Sequence, residues 1–242
     1  MRLIFIRHAE PDYKNNTLTE KGFREAAILA ERTASWENVR EAYVSPLARA
    51  QLTAAPCLEK LRLSAFTYDW LQEFLYPVWN PETGERSIAW DLSPAYFSKE
   101  PGFYSPTGWL DTPLIRSNPD IGPAYREICE GLDGILKSHG YVREGMMYRA
   151  LPETAGDEDE AIVFFCHFGI TCFMMAHLTG ISPILLLHHT IIPPSGATVM
   201  NAEKDDDGAA HFRAQGIGDV SHLQRAGEPI SKSGAFTPLF QE

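Results

Sequence analysis

The sequence predicts an α/β fold, a three-layer sandwich in which helices flank a mostly parallel sheet, with an added aromatic-rich insertion. Two apolar runs without periodicity, residues 3–6 and 161–166, are typical of parallel strands buried on both faces. Segments with apolar residues at helical spacing lie between the predicted strands. A length of 242 residues with 44% hydrophobic content suffices for one large core. We therefore predict a single domain over residues 1–242.

The first predicted strand, residues 3–6, ends at Arg7 and His8. In open α/β sheets, ligands bind outside the carboxyl ends of the strands, so a guanidinium and an imidazole at this point are well placed for chemistry. The alternative interpretation is a hydrogen-bonded histidine beside a solvated arginine. Position in a fold does not by itself decide between the two.

Two helices are expected in the first third of the chain. Thr19 is a capping residue for the first, whose apolar residues at helical spacing are Phe23, Ala26, Ala27 and Ala30 and whose outer face is charged. A second strand at residues 41–44 leads into a helix expected to begin at Ser45-Pro46, with the Ser45 hydroxyl as its cap. Arg49 lies in the first turn of that helix, off its apolar stripe, where free amide groups also favour anions.

A third strand at residues 65–68 is followed by Glu73. Residues 77–118 then change in character, because they are rich in proline, glycine and aromatic side chains without clear periodicity. We predict an insertion or lid at residues 77–118. Two interpretations remain open for it: a satellite hydrophobic cluster, or a surface that faces a substrate.

Residues 161–181 carry no charge and have about the length of a membrane-spanning helix. The segment divides around His167-Phe168-Gly169 into a β-rich half and a helical half, so we predict a buried strand and a buried helix with no membrane span. Further along, residues 197–202 and 210–214 predict a hairpin joined by an acidic turn. The twelfth position of that turn is Gly216, where a calcium loop requires glutamate.

Composition excludes several classes of protein. The net charge of −11 and the lack of a Lys/Arg cluster argue against nucleic acid as a partner. The four cysteines form no CxxC pair and no zinc spacing, which predicts reduced thiols in the cytoplasm and no metal site: Cys57, Cys129, Cys166 and Cys172. No membrane partner and no cofactor are expected. A homodimer is compatible with these features.

The polar residues at the predicted strand ends form a chemically coherent set: Arg7, His8, Arg49, Glu73 and His167. Arginine binds phosphate oxygens bidentately and keeps its charge. A neutral imidazole can attack phosphorus, and a carboxylic acid can protonate a leaving oxygen. These residues at one edge of a sheet predict a pocket for a phosphoryl group.

The same residues carry a family resemblance. Three motifs and two single residues follow one another along the chain: Arg7-His8-Ala9-Glu10, Leu18-Thr19-x-x-Gly22, Ser45-Pro46-Leu47-x-Arg49-Ala50-x-x-Thr53-Ala54, Glu73 and His167. In order and spacing they resemble the motifs of the histidine phosphatase superfamily, also called phosphoglycerate mutase-like proteins. Ser221-His222-Leu223 is similar to the carboxyl-terminal segment of that family. Ala9 and Phe168 depart from its pattern, because glycine is usual at both positions.

The resemblance implies a role for each of the five residues. His8 would be the nucleophile that becomes phosphohistidine, while Arg7, Arg49 and His167 would hold the phosphoryl group. Glu73 would be the proton donor, with Glu82 or Glu85 as alternatives because the acid is placed variably in the family. No metal and no cofactor are implied.

The expected function is a phosphomonoesterase acting on a small organic phosphate ester, in which the aromatic insertion favours an apolar or flat substrate group. One alternative is a phosphoglycerate mutase, which would need more cations than the Arg86, Lys99 and Arg116 of the insertion. An alternative of another class is a binding or regulatory module that has lost turnover. Oxidation of Cys166, beside His167, is a further hypothesis, set against an inert buried thiol.

Overall fold

A mixed sheet of eight strands forms the centre of the structure, a computed structural model that describes residues 1–90 and 92–241. In chain order, the strands are β1 (Arg2–Arg7), β2 (Pro11–Asp12), β3 (Thr17–Leu18), β4 (Val39–Val44), β5 (Ala65–Thr67), β6 (Val78–Asn80), β7 (Glu85–Ser87), β8 (Tyr141–Glu144), β9 (Met147–Ala150), β10 (Ala161–Cys166), β11 (Ala197–Lys204) and β12 (Ala209–Asp219). The helices are α1 (Glu20–Thr33), α2 (Ala48–Leu61), α3 (Pro94–Phe97), α4 (Pro113–Arg116), α5 (Ile121–Ser138), α6 (Phe168–Thr179), α7 (Pro183–His189) and α8 (Ser221–Ala226).

The strand order in the large sheet is β5-β4-β10-β1-β11-β12-β9-β8. Strands β5, β4, β10 and β1 are mutually parallel, whereas β11, β12, β9 and β8 continue the sheet with antiparallel pairs. The predicted α/β fold with a mostly parallel core flanked by helices is confirmed. The predicted hairpin is β11–β12, and the hairpin β8–β9 was not predicted.

Strand β1 lies between β10 and β11 and divides the core into two layers. Leu3 and Phe5 pack into the larger hydrophobic cluster with residues of α5 and α6. Ile4 and Ile6 point to the other face, into a cluster with residues of α1 and α2. Each fully buried side chain of this kind contributes roughly 1.5–3 kcal/mol. The absence of alternation in the run 3–6 therefore reflects burial on both faces.

Helix α6 is buried on nearly all sides, since all but three of its twelve residues are inaccessible. It packs against α5, α7 and the sheet. This burial explains why residues 161–181 carry no charge, as the prediction of a strand followed by a helix requires. Within the described residues, no helix combines the length and apolar character needed to cross a membrane.

Two details of the helical predictions are wrong. Phe23 is 48% exposed and Ala27 is exposed as well, and α1 instead buries Glu25 among its apolar residues. Glu25 tolerates burial because its Oε2 accepts from the Glu10 amide at 2.8 Å and Lys21 Nζ lies 3.1 Å from its Oε1. Helix α2 begins at Ala48 and has no side-chain cap, because the Ser45 hydroxyl has another partner, described below.

The insertion consists of the β6–β7 hairpin, α3, α4 and short 3-10 turns. Its buried aromatic side chains, Phe97, Phe103 and Trp109, join the large hydrophobic cluster. Trp109 reaches Phe173 of α6, with ring centroids 5.8 Å apart. The buried aromatic residues of the insertion therefore pack against α6 and α7, and Trp90 lies beside Phe168 at the start of α6.

Candidate active site

Arg7 and His8 lie at the carboxyl end of β1, next to the end of β10. The β1–β10 register pairs Arg7 with Cys166, and the His8 amide donates to the Cys166 carbonyl at 2.9 Å. His167 follows directly, and the rings of His8 and His167 have centroids 5.1 Å apart. Two parallel neighbouring strands thus bring together histidines that are far apart in the chain.

The His8 ring is held in one tautomer. Its Nδ1 lies 2.7 Å from the Ala9 carbonyl oxygen, which can only accept, so Nδ1 carries the proton and Nε2 keeps its lone pair. Burial and the nearby Arg7 charge lower the pKa of His8 well below its ordinary value. The imidazole is therefore neutral and has the form that a nucleophile requires.

His167 is the residue before α6 and is fully buried. Its Nε2 lies 2.8 Å from the Ser45 hydroxyl, while its buried Nδ1 has no partner among the described residues. Burial and the neighbouring His8 lower the pKa of His167 well below its ordinary value. The predicted capping role of Ser45 is wrong because this contact, together with a weak bond from the Leu47 amide, engages its hydroxyl.

Two guanidinium groups converge on the histidines. Arg7 Nη1 donates to the Ile192 carbonyl at 2.7 Å, and Arg49 projects from the first turn of α2. Burial lowers the pKa of both arginines, and the negative charge of Glu73 acts in the opposite direction on both. The Nε atoms of Arg7 and Arg49 are buried without an acceptor among the described residues. An anion in this pocket would supply the acceptors that these donors lack.

Glu73 is fixed against the first turn of α6. Its Oε1 accepts from the amides of Phe74 at 3.0 Å and Ile170 at 3.2 Å. A Cβ at Gly169 would lie 2.7 Å from the same oxygen, so glycine is needed there for this close approach. Of the alternatives, Glu82 accepts from the Ser93 hydroxyl at 2.6 Å within the insertion. Glu85 is exposed on β7.

Thr53 is a site residue to which the sequence analysis gave no role. Its hydroxyl accepts from the Ala9 amide at 2.9 Å and donates to the Arg49 carbonyl at 2.7 Å. One side chain thus ties the His8 segment to the helix that carries Arg49. The motif containing Thr53 was evident in the sequence, but only the fold shows which backbone groups it joins.

The two departures from the family pattern are accommodated by packing. Ala9 is fully buried against Leu18 and Ala26. Phe168 packs edge-on against Trp90, with ring centroids 6.3 Å apart. Trp90 also approaches Gly169 so closely that a Cβ there would lie 3.0 Å from the indole.

Further groups border the pocket. Tyr13, 66% exposed, lies under the Arg49 guanidinium at 5.4 Å. Gly234, at φ +77°, packs so closely on Arg7 that a Cβ would lie 2.9 Å from Nη2. The segment leading to Gly234 is tied down by a bond of 2.5 Å from Ser231 to Glu10. We call Arg7, His8, Arg49 and His167 the floor of the site, and Tyr13, Trp90 and Gly234 its rim.

Cys166 is an unreactive thiol in this environment. It is fully buried, and burial raises its pKa to about 12. This observation favours the inert-thiol interpretation over oxidation. In the described part of the chain, no group of three or more His, Cys, Asp or Glu side chains is arranged to hold a metal ion.

Comparison with known proteins gives a match to a family model over part of the chain and a likeness in fold. The family model of the histidine phosphatase superfamily (branch 1) matches residues 3–109. No curated protein matches the chain in sequence. Among solved structures, mycobacterial glucosyl-3-phosphoglycerate phosphatase is similar with a TM-score of 0.61 and 16% identity, covering 90% of this chain and 98% of that one.

Two further structures agree with that likeness in fold. A phosphoserine phosphatase variant from Entamoeba histolytica, in complex with phosphoserine, has a TM-score of 0.58 and 17% identity, covering 92% of this chain and 98% of its own. A protein described as mycobacterial hydrolase 2 has a TM-score of 0.58 and 18% identity, covering 93% of this chain and 96% of its own.

Proposed function

From the family match over residues 3–109 and the likeness in fold, we propose that this chain is a member of the histidine phosphatase superfamily and a metal-independent phosphomonoesterase acting through a phosphohistidine at His8. The observation that carries the proposal is the state of His8. Its Nδ1–H is bound to the Ala9 carbonyl, and its ring is neutral beside two guanidinium groups and a second neutral histidine.

In the first step, the Nε2 lone pair of His8 attacks phosphorus and the bond from phosphorus to the ester oxygen breaks. Arg7 and Arg49 neutralise the charge on the phosphoryl oxygens, and His167 lies beside them. Glu73 gives its proton to the leaving oxygen, so an alcohol departs and a carboxylate remains. Its Oε1 is held by two backbone amides, which supports a role for Oε2 as the atom that carries the proton.

In the second step, water attacks the phosphohistidine. The Glu73 carboxylate takes a proton from the water while the bond between Nε2 and phosphorus breaks. Inorganic phosphate is released and His8 returns to its neutral form. The acid of the first step is thus the base of the second, and both steps are complete without a metal ion.

The rim supports a substrate with an apolar or flat group. Tyr13 and Trp90 offer aromatic surface beside the phosphoryl pocket. The similar structures are named for polar carboxylate-bearing substrates, glucosyl-3-phosphoglycerate and phosphoserine. A panel that contains both kinds of ester therefore tests this part of the proposal, and a wide preference for polar sugar phosphates would overturn it.

A phosphoglycerate mutase is the second candidate, and the insertion gives it little support. Arg116 pairs with Asp111 at 2.7 Å, and Arg86 and Lys99 are exposed. A mutase would need free cations near the pocket for a carboxylate and a second phosphate. Hydrolysis is therefore the better-supported reaction.

The test is phosphate release from the ester panel, with and without chelator, by wild type, His8→Ala and the control His211→Ala, whose histidine is 43% exposed on β12. We expect chelator-resistant turnover that falls by roughly 10³-fold or more in His8→Ala and is unchanged in the control. Turnover that survives in His8→Ala would overturn the mechanism. Absence of turnover and of phosphoenzyme in wild type would favour the binding-module alternative.

A further inference from the structure

The loop between α7 and β11 is hydrogen-bonded to Arg7 and His8, the first two residues of the site. Its Ile192 carbonyl holds the Arg7 guanidinium at 2.7 Å, and its Gly196 carbonyl accepts from the Arg7 amide at 3.1 Å. The Ser195 amide donates to the His8 carbonyl at 3.1 Å. A shift of this loop would therefore move Arg7 and His8 together.

Ser195 adopts a backbone conformation that serine avoids. Its φ is +56°, in the left-handed region that costs energy for a residue with a Cβ. The conformation persists only where surrounding contacts enforce it, and such residues cluster at functional sites. Ser195 is fully buried, and its hydroxyl lies 3.0 Å from Nε2 of His222.

The direction of that hydrogen bond follows from the other side of the His222 ring. Nδ1 of His222 lies 3.3 Å from Arg32 Nη1, and a guanidinium can only donate, so Nδ1 accepts. Nε2 therefore carries the proton and donates to the Ser195 hydroxyl. Arg32 is itself fixed by Asp219, with Nη2 2.5 Å from Oδ2. An ordered chain of contacts thus runs from Asp219 through Arg32 and His222 to Ser195.

We propose that His222 is a positioning residue for the site: it holds Ser195 in the left-handed conformation, and Ser195 in turn fixes the His8 carbonyl. The proposal rests on the proposed function for its readout of activity. His222 touches neither the pocket floor nor a reacting group, and it acts through the backbone. A displacement of about 1 Å in a reacting group can cost on the order of 10²-fold in rate. A residue outside the pocket, such as His222, can therefore have a measurable effect on the rate.

Glycine at position 195 separates positioning from simple stability. Glycine adopts positive φ without a steric penalty, so Ser195→Gly no longer needs the anchor. We expect His222→Ala and Ser195→Ala each to lower kcat/KM by about tenfold, with no further loss in the double variant, because both break the same link. Ser195→Gly should stay within about threefold of wild type.

The decisive variant combines His222→Ala with Ser195→Gly. Its Tm should stay as low as that of His222→Ala, because the space left by a buried imidazole is not refilled, whereas its kcat/KM should recover to the level of Ser195→Gly. His222→Gln, whose amide can still donate to Ser195, should retain most of the activity. His211→Ala is the matched control and should behave as wild type.

Inorganic phosphate binding, measured by isothermal titration calorimetry on the same variants, gives a readout without turnover. A wild type that binds phosphate but releases none from esters would overturn the proposed function. The phosphate affinities of the variants, ranked against wild type, would still test the positioning role of His222. The positioning role would be overturned if His222→Ala had wild-type activity and phosphate affinity. It would also be overturned if the combination of His222→Ala with Ser195→Gly recovered neither activity nor phosphate affinity. A wild type that neither binds phosphate nor turns over would overturn both proposals.

Discussion

The floor of the site is built from the sheet and the helices beside it, whereas the rim comes from loops and from the insertion. His8 and His167 are at most 2% exposed; the His8 amide donates to the Cys166 carbonyl of β10, and the His167 ring is bound to the Ser45 hydroxyl. Tyr13, by contrast, is 66% exposed and contacts the site through one ring. If the proposed function is correct, the comparison teaches that the chemistry lies in buried parts of the fold and the choice of substrate in exposed parts. Changes in the floor should affect the rate with every ester, and changes in the rim only with some.

Glu73→Gln should give the largest effect after loss of the nucleophile. Without a proton donor, kcat/KM for an alkyl phosphate should fall by about 10²-fold. For p-nitrophenyl phosphate the fall should be much smaller, because that leaving group departs without protonation. The measurement is kcat/KM with both esters, since this ratio reports the first chemical step. Equal losses with the two esters would argue against Glu73 as the acid and would direct attention to Glu82.

Gly169→Ala tests how closely the acid must be held. The new Cβ would meet Glu73 Oε1 at 2.7 Å and the indole of Trp90 at 3.0 Å, so the carboxylate must move. We expect kcat to fall by about tenfold with alkyl phosphates and by less with p-nitrophenyl phosphate, which needs no proton donor. Gly134→Ala is the control, because a Cβ there would meet nothing within 4 Å. A wild-type kcat in Gly169→Ala would mean that the position of Glu73 is not critical.

Trp90→Ala probes the rim alone. Loss of aromatic surface should raise KM by about threefold for aromatic phosphates and leave KM for small sugar phosphates unchanged. Exposed Trp79, on β6, provides a control of the same residue type. If Trp90→Ala changes kcat equally with every ester, Trp90 belongs functionally to the floor.

The smallest expected effect is on stability against pH. The pKa values of His8 and His167 are lowered by burial, and burial lowers that of His222 to about 4. Between about pH 6.5 and pH 4 the unfolded chain therefore binds protons that the folded chain excludes, so stability falls as the pH falls. We expect Tm to drop by a few degrees from pH 7 to pH 5, and by less in His222→Gln. An equal drop in both proteins would remove His222 from this linkage.

The parts of the fold that could be predicted are those fixed by local pattern. Strand β10 has the predicted bounds because its apolar run is continuous and ends at a histidine. Arg7, His8, Arg49 and His167 could be proposed because each stands at or near a strand end. The hairpin β8–β9 was missed because its sequence mixes charged and apolar residues without a strict alternation.

The parts that could not be predicted depend on contacts between distant residues. Ser45 has the sequence of a helix cap, but its hydroxyl is engaged by His167, which follows a strand much later in the chain. His222 stood out only as part of a short motif, and its link to Ser195 exists only once α8 packs beside the loop before β11. Local sequence rules assign a hydroxyl such as that of Ser45 to a nearby backbone amide, which is its commonest partner. Contacts between distant residues then replace that partner in the folded protein.

The central place of β1 also has a consequence for how the protein is made. Its two neighbours, β10 and β11, are synthesised long after β1 has left the ribosome, and chains emerge at about 5–20 residues per second. During that interval the apolar strand has neither partner, and pairing between distant segments is slow. Nascent chains that have not yet reached Cys166 lack the strands that pair with β1, and they also lack His167. They should therefore bind general chaperones and form no phosphate site until β10 and β11 are complete.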